Sequence, residues 1–459
     1  MGKIIFTLLA VLALAGCSLM PDYRRPSLET PESWRTGTAV GAKEINSDWW
    51  TNFGDEELDL LMKQALAENN DLQAGIHRIE QSRAALTFTG ASLLPSADAS
   101  GSASRSRTNP ASGKTIYESR WRAGVGVSYE LDLFGANRSN IKAAEADLWS
   151  AELSQDALAL VTMGDVAGQY FFILNLRDRL AIADRNLDIA REVLRIVQAR
   201  YDAGTENALA IAQQKSSLAS AEAARISLAQ QLTNAENAFA VLLGKPPGQI
   251  DVQTDSLQSL TIPRISPGQP SSLLERRPDI RAVEAGLIAA NADIGVARAA
   301  FFPSINLGLD WSISAAGFGE PTGTAVSLAS ALAAPLFQGG RLKAGVEQAT
   351  ARQAELAERY QQAVLVAFQE TEDALAAVTS SQEREKTLAT AMEEAQNSYD
   401  LTKQLYDAGR VDFQTLLDVQ RTLLNAEDSF AQAKFARLSA STALYLAVGG
   451  GWRGPPEEL

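Results

Sequence analysis

Two windows of the chain carry small and apolar residues at a sustained four-three spacing. The first runs through Leu153, Ala157, Leu160, Gly164, Ala167, Phe171 and Leu174, the second through Leu342, Val346, Ala349, Gln353, Leu356, Tyr360, Ala363, Ala367, Glu370, Ala374 and Ala377. This spacing is the heptad seam of paired helices. No proline lies between Pro110 and Pro246 or between Pro335 and Pro455, so neither window has to break. Residues 138–203 and 340–405 therefore predict two helices of about 65 residues, ~100 Å each at 1.5 Å per residue. Helical spacing at 55–90, 207–243, 272–300 and 411–447 predicts partners of about half that length, two to each long helix. Ala and Gly at seam positions, where Leu would hold partners apart, imply close helix packing.

Between the helical stretches the period drops to two. Trp121, Ala123, Val125, Val127, Tyr129, Leu131 and Leu133 alternate with Arg122, Gly124, Gly126, Ser128, Glu130 and Asp132, and Ile305, Leu307, Leu309, Trp311 and Ile313 alternate with Asn306, Gly308, Asp310 and Ser312. Each is a strand with one apolar face. Val326, Leu328, Leu332 and Leu336 make a weaker run, and residues 96–107 alternate only Ser or Asp against Ala, Gly and Arg. Asn109 to Ser119 and Ala315 to Thr324 would link each pair, giving hairpins at 96–134 and 303–337.

The chain also repeats itself. Tyr201-Asp202-Ala203-Gly204 returns as Tyr406-Asp407-Ala408-Gly409, Leu133-Phe134-Gly135 as Leu336-Phe337-Gln338-Gly339, Leu94-Pro95-Ser96 as Phe302-Pro303-Ser304, and Asn70-Asp71-Leu72 as Pro278-Asp279-Ile280. The offset is about 205 residues, so one unit is duplicated. The first copy covers 55–245 and the second 272–450, with a proline-rich linker at 246–271 and a tail at 451–459. In each copy a hairpin sits between helices, and the Tyr-Asp-Ala-Gly element turns the long helix at its far end, where Gly supplies the conformation that stops it.

Strands of ten or more residues with one apolar face suit a membrane barrel, although the alternation alone also fits the edge of a soluble β-sandwich. Lipid offers the backbone no hydrogen-bond partner, so a membrane sheet has to close. Four strands cannot close; the smallest such barrels have eight, and three copies of the chain give twelve. The expected fold is mostly α with a membrane β-barrel portion, built from a duplicated unit of long coiled-coil helices and a β-hairpin.

Composition removes most other chemistry. The chain has 41 Lys and Arg against 55 Asp and Glu, a net charge of −14, which argues against nucleic acid as a partner. Its one histidine, His77, and one cysteine, Cys17, exclude His/Cys metal clusters, serine and cysteine catalytic groups and disulfides, leaving carboxylate chemistry as the enzymatic route. His77 reads as a residue on an exposed helix face. Aromatics are 7% of the residues, so a large aromatic core is not expected. Lys3 followed by the apolar run Ile4 to Ala15 is too short to span a bilayer and reads as a signal peptide over residues 1–16. The string Leu14-Ala15-Gly16-Cys17 resembles a bacterial lipoprotein signal, which implies a covalent lipid on Cys17. Ser18 rather than Asp at the next position implies the outer membrane. Residues 17–54, with Pro21, Pro26 and Pro31, read as an extended tether.

The strings Tyr129-Glu130-Leu131-Asp132-Leu133-Phe134-Gly135, Arg276-Arg277-Pro278-Asp279-Ile280 and Phe301-Phe302-Pro303-Ser304, with the duplication and the signal, resemble the outer-membrane factors of tripartite efflux systems, the TolC and OprM type. The resemblance covers the whole mature chain. It implies a homotrimer with a twelve-stranded barrel in the outer membrane continuing into a periplasmic helical barrel. It also implies partnership with a periplasmic adaptor protein and an inner-membrane efflux pump, and no resident cofactor. In that family the periplasmic end is closed by rings of aspartate and a tyrosine-centred set of hydrogen bonds, and Tyr406 and Asp418 fall on those positions. Three symmetry-related carboxylates would repel one another and attract cations. The chain departs from the TolC pattern at Thr415, where that pattern has a second Asp, and Arg410 is not at its arginine position. The turn residues Ala203, Gly204, Thr205, Ala408, Gly409 and Arg410 would receive the adaptor.

Other classes leave weaker traces. No short segment assembles a nucleophile with a base, as an enzyme would require. A periplasmic adaptor would show one helical hairpin flanked by soluble β domains, whereas this hairpin is duplicated beside membrane-length strands. A structural coiled-coil lipoprotein is the third reading, and heat-stable trimers with an ion conductance would eliminate it. The cargo, whether drug, metal ion, solvent or polypeptide, is not written in the chain, and five Met with one His offer no cluster for soft metals.

Overall fold

The computed structural model describes residues 18–35, 45–111, 113–317 and 319–452. The signal segment 1–16 and Cys17 lie outside them. Helices α1 (Glu56–Glu68) and α2 (Asn70–Gly90) lead to strands β1 (Ser96–Thr108) and β2 (Ile116–Leu131), then to the 67-residue α3 (Ala136–Asp202) and to α4 (Ala208–Leu242). The second copy follows as α5 (Leu273–Arg276), α6 (Pro278–Ala299), β3 (Ser304–Ala316), β4 (Gly323–Ala333), α7 (Arg341–Asp407, again 67 residues) and α8 (Phe413–Ala447).

The helical stretch expected at 55–90 is two helices. Asn69 stops α1, and its carboxamide oxygen accepts the amides of Asp71 and Leu72 at 2.9 and 3.1 Å to start α2. The stretch 272–300 breaks at Arg277, whose backbone is extended because Pro278 follows. These breaks are equivalent in the two copies. Asn69 Nδ2 donates to the carbonyl of Leu242 at 2.9 Å, and Arg277 Nη1 to that of Ala447 at 3.3 Å, each at the end of a half-length helix. A Cβ on Gly244 would lie 2.2 Å from the Glu68 carbonyl oxygen, and one on Gly449 would lie 2.2 Å from that of Arg276. Both glycines have positive φ, 68° and 89°, so the duplication extends to individual backbone contacts.

Among the described residues the strands form one antiparallel sheet in the order β1-β2-β3-β4, so β2 and β3 join the two copies. The register sorts the side chains by face. Ala97, Val127, Leu309 and Leu328 make one cross-sheet row, Ala99, Val125, Trp311 and Val326 the next, and from the Leu131–Ile305–Leu332 row to the Ala103–Trp121–Ala315 row the face is apolar but for Ser330 and Thr324 of β4. The opposite face carries Asp98, Ser100, Ser102, Arg122, Glu130, Asn306 and Asp310. The fourth strand ends at Ala333, and Leu336, counted above in its apolar run, lies beyond it and is 97% exposed.

The chain divides into two compact units, and each draws on both copies. Sequence repeats and compact units therefore differ, because the hairpins of both copies share one sheet. One unit holds the chain up to Leu28 with His77–Leu153 and Arg281–Gln362. Here two of the strings quoted above meet: Phe134 stacks on Phe302 at 4.6 Å, and the Asp132 carboxylate accepts the amides of Asn137 and Arg138 at 3.0 Å to start α3. Below the sheet Ala143 and Ala146 of α3 pack on Ala289 and Ala292 of α6, the close approach that small residues permit. His77 is exposed and pairs with Glu80 at 2.8 Å.

The other unit holds Glu29–Ile76, Ser154–Ile280 and Ala363–Leu459. Gly164 of α3 faces Leu446 of α8 so closely that a Cβ would lie 2.3 Å from its Cδ1. Arg277 is buried and spans Asp279 at 2.7 Å and Glu370 at 2.6 Å; burial opposes its charge, but these partners outweigh that and raise its pKa. The expectation that no large aromatic core exists is overturned here. Trp49, Trp50, Phe53, Tyr170, Phe171, Phe239 and Tyr445 form a buried cluster, with Trp49 stacked on Tyr445 at 4.8 Å. An average of 7% conceals it, because three of these rings lie within five residues.

Residues 18–35 are extended but are not a free tether, and Trp49–Phe53, also expected to be extended, form a short 3-10 helix. In the first unit Arg25 makes two bonds to the Glu284 carboxylate, at 2.6 and 2.9 Å, and Tyr23 adds a third. In the second, Trp34 donates to the Gly268 carbonyl at 2.8 Å and packs on Phe368. Prolines between these residues keep the chain extended, so less entropy is lost when it docks.

Gly244→Ala and Gly449→Ala combine a strained φ with a backbone clash and are expected to cost about 2–5 kcal/mol each. Gly204→Ala, with the same sign of φ and nothing within 4 Å of its Cβ, isolates the conformational part. Thermal unfolding in detergent should rank the first two well below the third.

Candidate functional site

The ends of α3 and α7 share one construction. The amide of Gly204 donates to the Tyr201 carbonyl and that of Thr205 to Arg200, both at 2.9 Å; Gly409 donates to Tyr406 and Arg410 to Leu405, again both at 2.9 Å. These are paired C-terminal caps with glycine at φ 75° and 70°. The next helices start alike: Asn207 Oδ1 accepts the Ala210 amide at 3.0 Å and Asp412 Oδ1 that of Thr415 at 2.9 Å. Thr415 Oγ1 also donates to Asp412 at 2.6 Å, and these two bonds hold the Asp412 carboxyl below its ordinary pKa. Ala203, Gly204, Thr205, Ala408, Gly409 and Arg410 are all exposed, with open space around both glycines.

The side chains break the symmetry that the backbone keeps. Tyr201 is 43% exposed, whereas its counterpart Tyr406 is fully buried in a cluster with Val193, Val197, Tyr399, Phe413 and Leu416. The Arg200 guanidinium lies over the Tyr406 ring, 3.9 Å from its centroid, and donates to the carbonyl oxygens of Tyr406 and Asp407. The Tyr406 hydroxyl donates to Glu206 Oε2 at 3.4 Å, and burial is the first cause of its raised pKa. One arginine thus ties the end of α3 to the end of α7. Asp418, one turn into α8, is exposed and accepts from Gln414 Nε2 at 3.0 Å. Among the described residues no group of three or more His, Cys, Asp or Glu could hold a metal ion.

A family model described as outer membrane efflux protein matches residues 61–245 and 269–450, once on each copy. The chain belongs to this family. The efflux protein is 37% identical to the pyoverdine export outer membrane protein OpmQ of Pseudomonas aeruginosa, over 98% of its own length and 97% of that protein. It is 32% identical to the cation efflux system protein CusC of Escherichia coli K12, over 96% and 97%. Its fold matches the open-state structure of the MtrE outer membrane channel of Neisseria gonorrhoeae with a TM-score of 0.83 at 30% identity, covering 95% of this chain and 99% of that one. The family is one of transport channels, and the efflux protein is an exit duct of the outer membrane.

In the efflux protein Tyr406 belongs to a connected set, while Asp418 stands apart from it. Arg200 and Glu206 were missed by motif reading. The two copies carry the signal: Arg200 aligns with Leu405 just before the shared tyrosine, so a charge stands where the other copy has an apolar residue. Arg200→Ala removes hydrogen bonds from a charged donor and a cation–π contact, together about 2–4 kcal/mol. Hydrogen exchange of amides 404–412 should accelerate about 30-fold or more, with Arg200→Lys between variant and wild type.

Proposed function

We propose that three copies of the chain close one duct whose periplasmic end is a gate formed by the turns at 200–206 and 406–418. The observation that carries this is the open sheet. Among the described residues β1 and β4 each have a neighbour on one side only, and the apolar face defined by the register is exposed, with Val326, Leu328 and Leu332 at 71, 81 and 69%. In lipid both edges need partners, and β1 of one copy beside β4 of the next supplies them. Twelve strands result. Cys17 would carry the lipid that anchors the N-terminal segment.

At the gate Asp418 of each copy supplies one carboxylate to an acidic ring, and Tyr406, held by Arg200, keeps the end of α7 in place. The exposed turn residues Ala203, Gly204, Thr205, Ala408, Gly409 and Arg410 are the docking points of a periplasmic adaptor, beside the exposed Tyr201 and Leu209. Small side chains there leave grooves for helices of the partner, which connects the duct to an inner-membrane pump. No step makes or breaks a bond. Cargo choice rests with the pump, in keeping with relatives named for pyoverdine and for cation export that align with nearly the whole chain.

Single-particle imaging of the protein extracted in mild detergent should show a threefold, hollow assembly; a compact monomer would remove the shared barrel and the duct with it. In planar bilayers Asp418→Ala should raise conductance by weakening closure, and an unchanged or lower conductance would contradict the gate assignment.

A further inference from the structure

Arg105 and Arg107 of β1 stand on the apolar face of the sheet. Their register partners are Ser119 and Tyr117, which share a face with Trp121, Ala123, Val125 and Val127. Arg120 and Arg122 lie on the opposite face, where Arg120 is 3.2 Å from Glu118. Both β1 guanidinium carbons are 5.8 Å from the centroid of the Tyr117 ring, which is 59% exposed. Among the described residues neither arginine has a carboxylate within salt-bridge distance.

An arginine facing lipid costs about 2–4 kcal/mol at mid-bilayer and little near the interface. Depth therefore decides what this pair can do. From the Leu131 row to the Trp121 row the apolar face spans ten residue steps, about 34 Å along the strand. At the usual barrel tilt that is a height of ~25 Å, the full apolar band of such barrels. Trp121 and Tyr117 supply the aromatic girdle, and Arg105 and Arg107 lie two and four residues past the Trp121 row, roughly 7–14 Å further on. This is the end of the sheet away from the helices, at the level of lipid headgroups on the outer side.

We propose that Arg105, Arg107 and Tyr117 form an outward-facing site for the phosphate groups of a phosphorylated outer-leaflet glycolipid, repeated around the barrel. The proposal rests on the duct reading. Two unpaired cations beside an exposed ring complement a phosphate headgroup, and the adjoining apolar rows receive its acyl chains. Near an anionic surface each such arginine is worth about fivefold in affinity.

The test is native mass spectrometry of the full chain in detergent, titrated with diphosphorylated lipid A and with the same glycolipid stripped of phosphate. Wild type should prefer the phosphorylated lipid, and Arg105→Ser/Arg107→Ser should weaken its binding about 25-fold without changing the stripped one. The charge-conserving Arg105→Lys/Arg107→Lys should keep most of the preference. Arg122→Ser, which removes one arginine from the other face, should keep all of it. Equal binding of both lipids by wild type, or an equal loss in Arg122→Ser, would overturn the proposal. Full displacement of the lipid by millimolar inorganic phosphate would do so too, by assigning the site to the free ion. Single-particle imaging of the same sample separates the two levels: a threefold, hollow particle without lipid preference fails the site alone, and a compact monomer fails the duct.

Discussion

A sheet that faces lipid cannot leave backbone hydrogen-bonding groups open, and this protein's sheet has two open edges. That constraint orders the rest of the molecule. Pairing β2 with β3 satisfies the inner edges and draws the hairpins of both copies into one sheet, which is why the compact units cut across the sequence repeats. Among the described residues the outer edges, β1 and β4, have no partner strand within one chain. The proposed threefold closure answers a need that the backbone itself states. The same constraint explains a face apolar over the height of a bilayer core, and charges kept to its far end or to the other face.

Duplication supplied the parts, and selective divergence made them unequal. Backbone devices are preserved in both copies: the Gly244 and Gly449 approaches to a carbonyl, the breaks at Asn69 and Arg277, and the paired caps after Tyr201 and Tyr406. These tolerate little change, since a Cβ at either glycine would enter a neighbouring carbonyl. Side chains at the long-helix ends have diverged. Arg200 replaces the apolar type found at Leu405, and it binds the buried tyrosine of the other copy while Tyr201 stays at the surface. Arg200 thus adds a charged tie between the two helix ends to the apolar cluster that already buries Tyr406.

The helical seam was legible and drifted as helix geometry demands. From Leu342 to Ala367 every seam residue of α7 is buried or half-buried, but Glu370 and Ala377 are exposed while Thr371 and Leu375 are buried. A straight helix of 3.6 residues per turn departs from a strict heptad by ~20° per repeat, so the buried stripe moves by one position. In α3 the seam from Leu153 to Leu174 stays within the core, with Gly164 at its closest approach. The aromatic cluster and the docked N-terminal segment were not legible. Trp34, Trp49 and Phe53 sit in stretches with no period, and only their distant partners make them core.

Periodicity, proline placement and internal repetition are local properties, and by themselves they determined the two long helices, the four strands, the duplication and the helix-ending turns. They did so because each element's backbone geometry imposes its own spacing on the residues. Tertiary structure decided what depends on partners far apart in the chain. It placed Arg200 over Tyr406 and set Arg277 between Asp279 and Glu370. It also chose the face on which Arg105 and Arg107 lie: β1 alternates Ser with Ala, which leaves its parity unmarked, and only hydrogen-bonded register against β2 turns those two arginines toward the apolar side.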